Sequence, residues 1–249
     1  MTVCRMWLAI AGLLAAGSAS GAELRLESGT ARTVMIELFT SQGCNSCPPA
    51  EAFLNGYIHH PALWTTYIPL AFHVDYWDDL GWKDRFALAA NAARQRRYAR
   101  RGGTRTVYTP AFRVNGVGWA PGLLKRSPRA DGQAAGNLSL TLKGREFQAR
   151  YDPQGGVRKP LVLHVAILGM GLTTDIEAGE NRGRQSRHEF VVLAHEQLGG
   201  EGNDWQGTLP IVDTASAARL GIVAWLSQGD DPTPVQATGG YLPASDRDG

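Results

Sequence analysis

Cysteine is scarce in this chain, with three among 249 residues, and neither sign of charge dominates, with 25 Lys and Arg against 23 Asp and Glu. The near balance argues against a strongly basic surface, so nucleic acid is not the default partner. Internal repeats and coiled-coil heptads are absent, while 30 glycines and 13 prolines are typical of a turn-rich protein. The 43% of hydrophobic residues still allows a substantial core.

Long hydrophobic runs are lacking too, apart from a short one near the N-terminus. Arg5 precedes an apolar run over residues 6–16, and Ser20-Gly21-Ala22 has the small residues that signal peptidase reads. A permanent membrane span needs about 20 apolar residues, and no later segment reaches that length. We therefore expect a signal peptide over residues 1–22, cleavage near Ala22 and a periplasmic or secreted protein. The alternative is an uncleaved anchor.

After removal of this leader, two cysteines remain, Cys44 and Cys47, in a C-x-x-C spacing. An exported chain meets an oxidising environment, where such a pair forms a disulfide. A ring this short constrains the unfolded chain by only about 2 kcal/mol, so a structural staple is a weak explanation. Structural zinc is disfavoured because a second C-x-x-C is absent. A redox role and an inert local disulfide remain open.

The residues around the cysteines favour the redox role. Residues 33–39 are apolar and β-branched, which predicts a buried strand, and Pro48-Pro49 is typical of the first turn of a helix. The cysteines are thus expected at a strand-to-helix turn. There the positive end of the helix and its free N–H groups would favour a reactive thiolate at Cys44.

The following elements extend this pattern. Further strands are predicted over residues 67–74 and 111–114, a helix over residues 84–101, and a turn at Asn115-Gly116. The order strand, helix, strand, helix, strand, hairpin, with C-x-x-C at the first helix, resembles a thioredoxin fold. That resemblance implies a cis-proline before the third of these strands, facing the disulfide, and Thr109-Pro110 occupies this place.

Several motifs together carry a closer resemblance. They are ELFTSQGCNSCPPA at residues 37–50, FHVDYW at 72–77, GWKD at 81–84, TVYTP at 106–110 and GENRGR at 179–184. This joint pattern resembles the family of exported bacterial proteins called domain of unknown function 1223. The resemblance implies a secreted thioredoxin-like domain followed by a smaller β-rich part. One departure is the segment after Trp119, which lacks the helical pattern that a thioredoxin fold has there.

The second half of the chain alternates apolar and polar residues, which indicates β-structure. Leu138, Leu140 and Leu142 predict one arm of a hairpin, with the other arm ending at Tyr151. Further strands are predicted over residues 161–168, 189–195, 207–210, 221–227 and 235–238. The predicted fold class is α/β, with a thioredoxin-like domain over residues 23–130, a smaller antiparallel β-rich domain over 137–243, and a flexible tail over 244–249.

Cys44, Cys47 and Pro110 are the predicted catalytic residues. Cys44 is expected to stand nearer the exposed turn and to attack a partner's sulfur, while Cys47 resolves the mixed disulfide. Pro110 is expected to shape the substrate groove by keeping a backbone N–H away from the sulfurs.

His73, Asp75 and Trp77 are possible accessory residues. His73 and Asp75 follow a predicted strand and could relay a proton to Cys47 or supply a metal ligand. The alternative is that they cap the strand and pack a loop.

Two further groups of residues have both a functional and a structural interpretation. Arg94, Arg97 and Arg101 share a helical face, which is either a solvated surface or a docking site for an acidic partner or lipid head group. The segment 180–184, with His188, is either a tight strand connection or a binding loop.

The favoured function is therefore an exported thiol-disulfide oxidoreductase that exchanges disulfides with protein thiols or disulfides. This chemistry needs no cofactor. The alternative is a non-catalytic thioredoxin scaffold that binds copper, through two cysteines and a distant histidine, or a protein partner. The direction of the redox reaction and the oligomeric state do not follow from the sequence.

Overall fold

The computed structural model describes residues 23–123, 126–155, 160–213 and 216–243. The predicted signal peptide and the predicted C-terminal tail lie outside these residues. The elements, in chain order, are β1 (Leu24–Glu27), β2 (Val34–Thr40), α1 (Pro48–Asn55), β3 (Tyr67–His73), α2 (Ala89–Arg101), β4 (Ala111–Val114), β5 (Val117–Trp119), β6 (Asn137–Lys143), β7 (Glu146–Asp152), β8 (Leu161–Met170), β9 (Leu172–Asp175), β10 (Gln185–His188), β11 (Val191–Gly200), β12 (Asp204–Thr208), β13 (Arg219–Gln228) and β14 (Ala237–Tyr241). Short 3-10 helices follow α1 at Gly56–His59 and precede α2 at Asp78–Leu80.

The strands form two main sheets and one hairpin. Eight strands make the larger sheet, in the order β14-β13-β8-β11-β3-β2-β4-β5. Four strands make the smaller sheet, in the order β1-β6-β7-β12, and β9 and β10 pair with each other. Within the large sheet β3 is parallel to both β2 and β11, whereas the other neighbours are antiparallel.

The predicted fold class, an α/β thioredoxin-like domain followed by a smaller antiparallel β-rich domain, is wrong. Strands account for 43% of the described residues and helices for 13%, with two α-helices in this part of the chain. The physical reason lies at β3, whose outer edge is paired. Val191 of β11 is the register partner of Ala71, and the Ala71 N–H donates to the Phe190 carbonyl at 2.8 Å. One sheet therefore joins strands from both halves of the chain.

The individual strands follow the sequence pattern closely. The hairpin predicted from the alternating leucines is confirmed as β6 and β7, with inward residues buried and outward residues exposed or half-buried. Strand β8 is buried on both faces because it separates two cores. Its Ala166 and Leu168 join the core beneath the N-terminal strands, whereas Leu163 and Val165 join the core shared with the smaller sheet.

The predicted helix over residues 84–101 begins later, at Ala89. Asp84 is not the first residue of this helix, because its carboxylate accepts hydrogen bonds from two backbone N–H groups in the loops and turns that precede the helix. It accepts from Phe86 at 2.9 Å and from Gln42 at 2.8 Å. These bonds hold residues 84–88 in a turn that brings Asp84 to the end of β2 and β3.

Arg94 does not belong to a solvated helix face. Its side chain is completely buried, and its Nε donates to Glu37 Oε1 at 2.6 Å. Tyr98 completes this arginine cluster (Glu37, Arg94 and Tyr98) by donating its hydroxyl to Glu37 Oε2 at 2.6 Å. The guanidinium carbon also lies 5.5 Å from the ring centroid of Phe72 and 5.2 Å from that of Trp225. The cluster thus ties α2 to the large sheet.

None of the described helices is both long enough and apolar enough to cross a membrane.

Candidate functional site

Cys44 and Cys47 form a disulfide in the loop between β2 and α1, with their Cα atoms 5.5 Å apart. Cys47 is the N-cap residue of α1, and the two residues between the cysteines, Asn45 and Ser46, are exposed. Both cysteines are buried, with 0% of their surface exposed. The expectation that Cys44 stands exposed is therefore wrong for the disulfide form. Its Sγ lies 3.4 Å from Ser46 Oγ.

The first turn of α1 offers the cysteines few backbone donors. Pro48 and Pro49 have no N–H, and the N–H groups of Ala50 and Glu51 already donate to the Cys47 carbonyl at 2.9 and 3.1 Å. The predicted free N–H groups are thus absent from this turn. The helix dipole remains as a source of positive potential near the sulfurs.

A turn from the second half of the chain holds the cysteine loop in place. This Asn181 turn, residues 176–184, connects β9 to β10. It is closed by two backbone bonds, from the Ile176 N–H to the Arg184 carbonyl and from the Gly183 N–H to the Ile176 carbonyl. The buried amide of Asn181 donates to the carbonyls of Gln42 at 2.8 Å and Cys44 at 2.9 Å. The segment 180–184 is therefore a strand connection that clamps the loop before and at the first cysteine.

Pro110 and Trp77 lie on the other side of this loop. The Thr109–Pro110 peptide bond is cis, as the resemblance implies, and Pro110 is half-buried just before β4. The indole N–H of Trp77 donates to Thr109 Oγ1 at 2.7 Å. A Cβ atom placed on Gly43 would lie 3.4 Å from the Trp77 Cβ. Trp77 thus packs between the cysteine loop and the segment that carries Pro110.

A buried group of ionisable side chains lies at the carboxyl ends of β2 and β3. We call it the histidine–carboxylate cluster, and it comprises Glu51, His73, Asp84 and His188. His73 Nδ1 contacts Asp84 Oδ2 at 2.6 Å, and both side chains are completely buried. Asp84 is therefore the carboxylate that orients His73. Asp75 is half-buried in the loop that follows, where its carbonyl accepts from the Asp78 N–H.

Glu51 and His188 form the second half of the cluster. Glu51 lies one helical turn after Cys47, and its Oε1 accepts from the Thr40 hydroxyl at 2.6 Å. Its Oε2 lies 3.5 Å from His188 Nδ1. The other ring nitrogen of His188 lies 3.1 Å from Gln42 Nε2. The His73 and His188 rings are edge-to-face, with centroids 5.1 Å apart.

Burial and mutual charge set the protonation of this cluster. Burial alone would lower the pKa of His73, but the carboxylates of Asp84 and Glu51 outweigh it and raise that pKa. Burial would raise the pKa of Asp84, but the charge and hydrogen bond of His73 lower it. For Glu51, desolvation by burial prevails and raises the pKa.

Desolvation by burial and the charge of His73 lower the pKa of His188 to about 3. The imidazole of His188 is therefore neutral near pH 7, so its contact with Glu51 is not an ion pair.

The sequence identified part of this site. Cys44, Cys47, Pro110, His73 and Trp77 lie in the same region of the fold. The residues that sequence reasoning missed as site residues are Gln42, Glu51 and Asp84, and it left the roles of Asn181 and His188 undecided. One signal was available for Glu51, because an acidic residue four positions after Cys47 shares its helical face. No local pattern indicates that Asn181 and His188 approach the cysteine loop, because both lie more than 130 residues after Cys47 in the sequence.

Histidine and carboxylate side chains that could hold a metal ion also meet here. Glu51, His73 and His188 each offer one ligand atom, and these atoms lie within 4.8 Å of one another. The cysteines are a separate case. In the disulfide both sulfurs are bonded to each other, so the copper alternative, which needs two thiolates, applies to the reduced protein.

The fold and this site define a mainly β protein that carries a disulfide-bonded C-x-x-C motif at the start of a helix. The chain belongs to the family described as "Protein of unknown function (DUF1223)", whose model matches residues 35–227. The family resemblance of the sequence motifs is thus confirmed, whereas the thioredoxin-like classification is not. No curated protein sequence matches the chain.

Two solved structures are similar to this chain. The crystal structure of protein AGR_C_4864 from Agrobacterium tumefaciens is 25% identical, with a TM-score of 0.59, and the alignment covers 84% of this chain and 94% of that one. The structure of HBP35 from Porphyromonas gingivalis is 12% identical, with a TM-score of 0.51, and the alignment covers 86% of this chain and 76% of that one. The second likeness concerns the fold alone.

Proposed function

We propose that this protein exchanges disulfides with protein thiols or disulfides through Cys44 and Cys47. The observation that carries the proposal is the Cys44–Cys47 disulfide, formed across two exposed residues at the N-terminus of α1. A loop of this length contributes little stability, which leaves reactivity as the better reason for the pair. We further propose that residues 1–22 export the chain to the periplasm or the exterior, where disulfide chemistry persists.

In the reducing direction, the Cys44 thiolate attacks one sulfur of a partner disulfide. A bond forms between Cys44 and that sulfur, and the other partner sulfur leaves as a thiolate that takes up a proton. Cys47, as a thiolate, then attacks the Cys44 sulfur, which forms the internal disulfide and releases the second partner thiol. The partner gains two electrons and the protein loses two, so no cofactor is required. The reverse sequence oxidises a partner dithiol.

The burial of both sulfurs means that exchange requires movement. Asn45 and Ser46 are exposed, whereas the carbonyls of Gln42 and Cys44 are held by Asn181. Most residues of the Asn181 turn other than Ile176 and Asn181 are exposed, so few apolar contacts oppose its displacement. In this proposal, separation of the turn from the cysteine loop exposes Cys44 to a partner chain.

Pro110 and its neighbours supply the partner's binding surface in this proposal. Proline lacks an N–H, so residue 110 places no backbone donor beside the sulfurs. Tyr108, just upstream, is 66% exposed, and its carbonyl accepts from the Gln95 side chain at 2.7 Å. The segment 108–110 thus has an exposed aromatic ring and a fixed backbone, which suit an extended peptide.

Reduction of insulin by dithiothreitol, with and without the protein, tests the proposal. We expect wild type to accelerate the reaction and Cys44→Ser to show the background rate. Equal rates for wild type and Cys44→Ser would eliminate the proposed exchange. Equilibration of the wild-type pair with glutathione mixtures then gives its reduction potential, which decides between a reductant and an oxidant.

A further inference from the structure

The histidine–carboxylate cluster contains an unsatisfied nitrogen that disulfide exchange does not use. His73 Nε2 is buried and has no hydrogen-bond partner among the described residues. Burying a polar atom without a partner costs free energy, so such an atom needs an explanation. Ten other buried side-chain atoms of the described residues share this state, and His73 Nε2 differs from them because it lies in a cluster of histidines and carboxylates.

When His73 is neutral and its Nδ1–H faces Asp84, its Nε2 carries a lone pair that can bind a metal ion. Because the neighbouring carboxylates raise the pKa of His73, the ion has to displace the proton of the charged form from Nε2.

We propose that Glu51, His73 and His188 bind a divalent first-row cation, with zinc as the best match. Two imidazole nitrogens and one carboxylate oxygen form a common zinc ligand set, which leaves a fourth position for water or another ligand. The three ligand atoms already lie within 4.8 Å of one another. Neither sulfur takes part, so this site is separate from the copper alternative.

His73 has the outer contacts of a metal ligand. Its Nδ1 is held by Asp84 Oδ2 at 2.6 Å, which leaves Nε2 to point at the ion. Histidines that bind metals commonly direct their second nitrogen to a carboxylate, which fixes the ring and strengthens the ligand. Asp84 is itself held, because it accepts from the backbone of Gln42 and Phe86.

Glu51 and His188 offer the other two atoms. Glu51 Oε1 accepts from Thr40, so Oε2 is the available ligand oxygen, and it lies 3.5 Å from His188 Nδ1. Ligands at 2.0–2.1 Å around a tetrahedral zinc ion are about 3.3 Å apart, so this pair is already close to the required spacing. The ligand atoms that are furthest apart, at up to 4.8 Å, must approach each other by as much as about 1.5 Å when the ion binds.

Gln42 determines which nitrogen of His188 is free. Its amide nitrogen lies 3.1 Å from His188 Nε2, and its amide oxygen accepts from the Trp82 indole at 3.0 Å. In this arrangement the His188 proton sits on Nδ1. Coordination through Nδ1 therefore requires this proton to move to Nε2 and the Gln42 amide to turn, which breaks the bonds of Gln42 with the Trp82 indole and with Thr174 Oγ1.

A second histidine pair in the same protein provides an internal control. The His164 and His195 rings are likewise 5.1 Å apart between centroids, but they are stacked and not edge-to-face, and His164 Nδ1 contacts His195 Nε2 at 2.9 Å. Their neighbours include Trp225 and Ser227, and burial and then the positive charge of Arg94 lower the pKa of both histidines. A cationic neighbour opposes a metal ion, so this pair should not bind zinc.

Zinc titration of the full mature chain in its disulfide form, with a chromophoric chelator as competitor, tests the proposal. We expect one zinc ion per wild-type protein and per His195→Ala protein, and at least a hundredfold weaker binding for His188→Ala. The Cys44→Ser/Cys47→Ser protein should bind as wild type does. A folded wild-type protein that binds no zinc would overturn the proposal, and so would unchanged binding in His188→Ala.

The absorption spectrum of the cobalt-loaded wild-type protein tests the proposal without a substitution in the site. A cobalt ion held by two histidines and a carboxylate should show ligand-field bands without thiolate charge-transfer bands. Charge-transfer bands, or loss of binding in the double cysteine variant, would assign the ion to the cysteines and contradict the proposal. Loss of insulin reduction with retained zinc binding would remove the exchange function alone, so the two proposals fail separately.

Discussion

Two buried ionic clusters lie on the same sheet, and in the described part of the chain they differ in the kind of nitrogen that each leaves without a hydrogen-bond partner. In the arginine cluster, both Glu37 oxygens accept hydrogen bonds, from Arg94 Nε and the Tyr98 hydroxyl, and the Pro232 carbonyl accepts from Arg94 Nη2. Arg94 Nη1 is buried without a partner among the described residues, but a guanidinium nitrogen can only donate a hydrogen bond and cannot bind a cation. In the histidine–carboxylate cluster, His73 Nε2 has no partner among the described residues. The first arrangement is a structural tie, and the second retains capacity for a ligand.

The two clusters also differ in their position along the strands. Glu37 lies in the middle of β2, where the sheet and α2 enclose it. Thr40 and His73 are register partners at the carboxyl ends of the parallel strands β2 and β3. Ligands of sheets with parallel strands bind outside these carboxyl ends, where loops supply side chains. The comparison teaches that neither burial nor an unpaired atom alone distinguishes a structural cluster from a functional one, whereas the chemistry of the unpaired atom and its position in the sheet do.

The largest predicted effect is on stability and falls on the arginine cluster. Arg94→Met leaves Glu37 buried without its cationic partner, which should cost about 3–5 kcal/mol of unfolding free energy. Denaturant unfolding measures the loss. Arg96→Met, at an exposed position of the same helix, should change the free energy of unfolding by less than about 0.5 kcal/mol. Similar values for the two variants would contradict a structural role for the arginine cluster.

The second prediction concerns access to the disulfide. Asn181→Ala removes the two hydrogen bonds that clamp the cysteine loop, and a loss of about 1–2 kcal/mol should increase the open population about five- to thirtyfold. The rate at which dithiothreitol reduces the Cys44–Cys47 disulfide should rise accordingly.

Asn137→Ala is the matched control for Asn181→Ala. Its Oδ1 also makes two contacts, with the Gly29 N–H at 3.0 Å and the Ser28 hydroxyl at 3.4 Å, but in the segment between β1 and β2. The control should leave the reduction rate unchanged. Equal rates for Asn181→Ala and wild type would show that the Asn181 turn does not limit access.

The smallest predicted effect concerns Trp77. Trp77→Phe keeps the packing of the Cβ against Gly43 and removes the indole N–H that donates to Thr109. One neutral hydrogen bond is worth about 0.5–1 kcal/mol, so the reduction rate should change about two- to fivefold. Trp119→Phe, which alters an indole packed against Phe53 and Phe112, should not change it. A larger change in the reduction rate for Trp119→Phe than for Trp77→Phe would show that the Trp77 hydrogen bond does not control access to the disulfide.

Local sequence patterns predicted the long buried strands well, because the pattern of apolar residues in each strand reflects its own burial, but they missed the short strands β1, β9 and β10. The strand predicted over residues 207–210 overlaps β12 at two residues only. The alternation of β6 and β7 and the apolar run of β8 are visible within ten residues. The pairing of β11 with β3 is not local, since its partners Val191 and Ala71 are 120 positions apart. The fold class was wrong for this reason: periodicity identifies strands but does not say which sheet they join.

The same limit explains the errors at particular residues. Arg94 has the spacing of a surface residue, and its burial depends on Glu37, which lies 57 positions earlier. Asp84 resembles the start of a helix, yet its carboxylate accepts hydrogen bonds from Phe86 in its own turn and from Gln42 in the cysteine loop. By contrast, the C-x-x-C spacing and the Thr109-Pro110 position were recognisable because each motif is short. The histidine–carboxylate cluster combines residues from α1, β3, β10 and a loop, so no single window contains it.

The central claim is that Cys44 attacks and Cys47 resolves, and trapping of a mixed disulfide tests it most directly. Reduced Cys47→Ser and reduced Cys44→Ser are each incubated with insulin, and covalent adducts are quantified by intact mass, with denatured samples as the control for thiol reactivity. The account predicts that folded Cys47→Ser accumulates an insulin adduct through Cys44, whereas folded Cys44→Ser does not. Equal adduct formation by the two folded variants, or none from Cys47→Ser while its denatured form reacts, would contradict the claim.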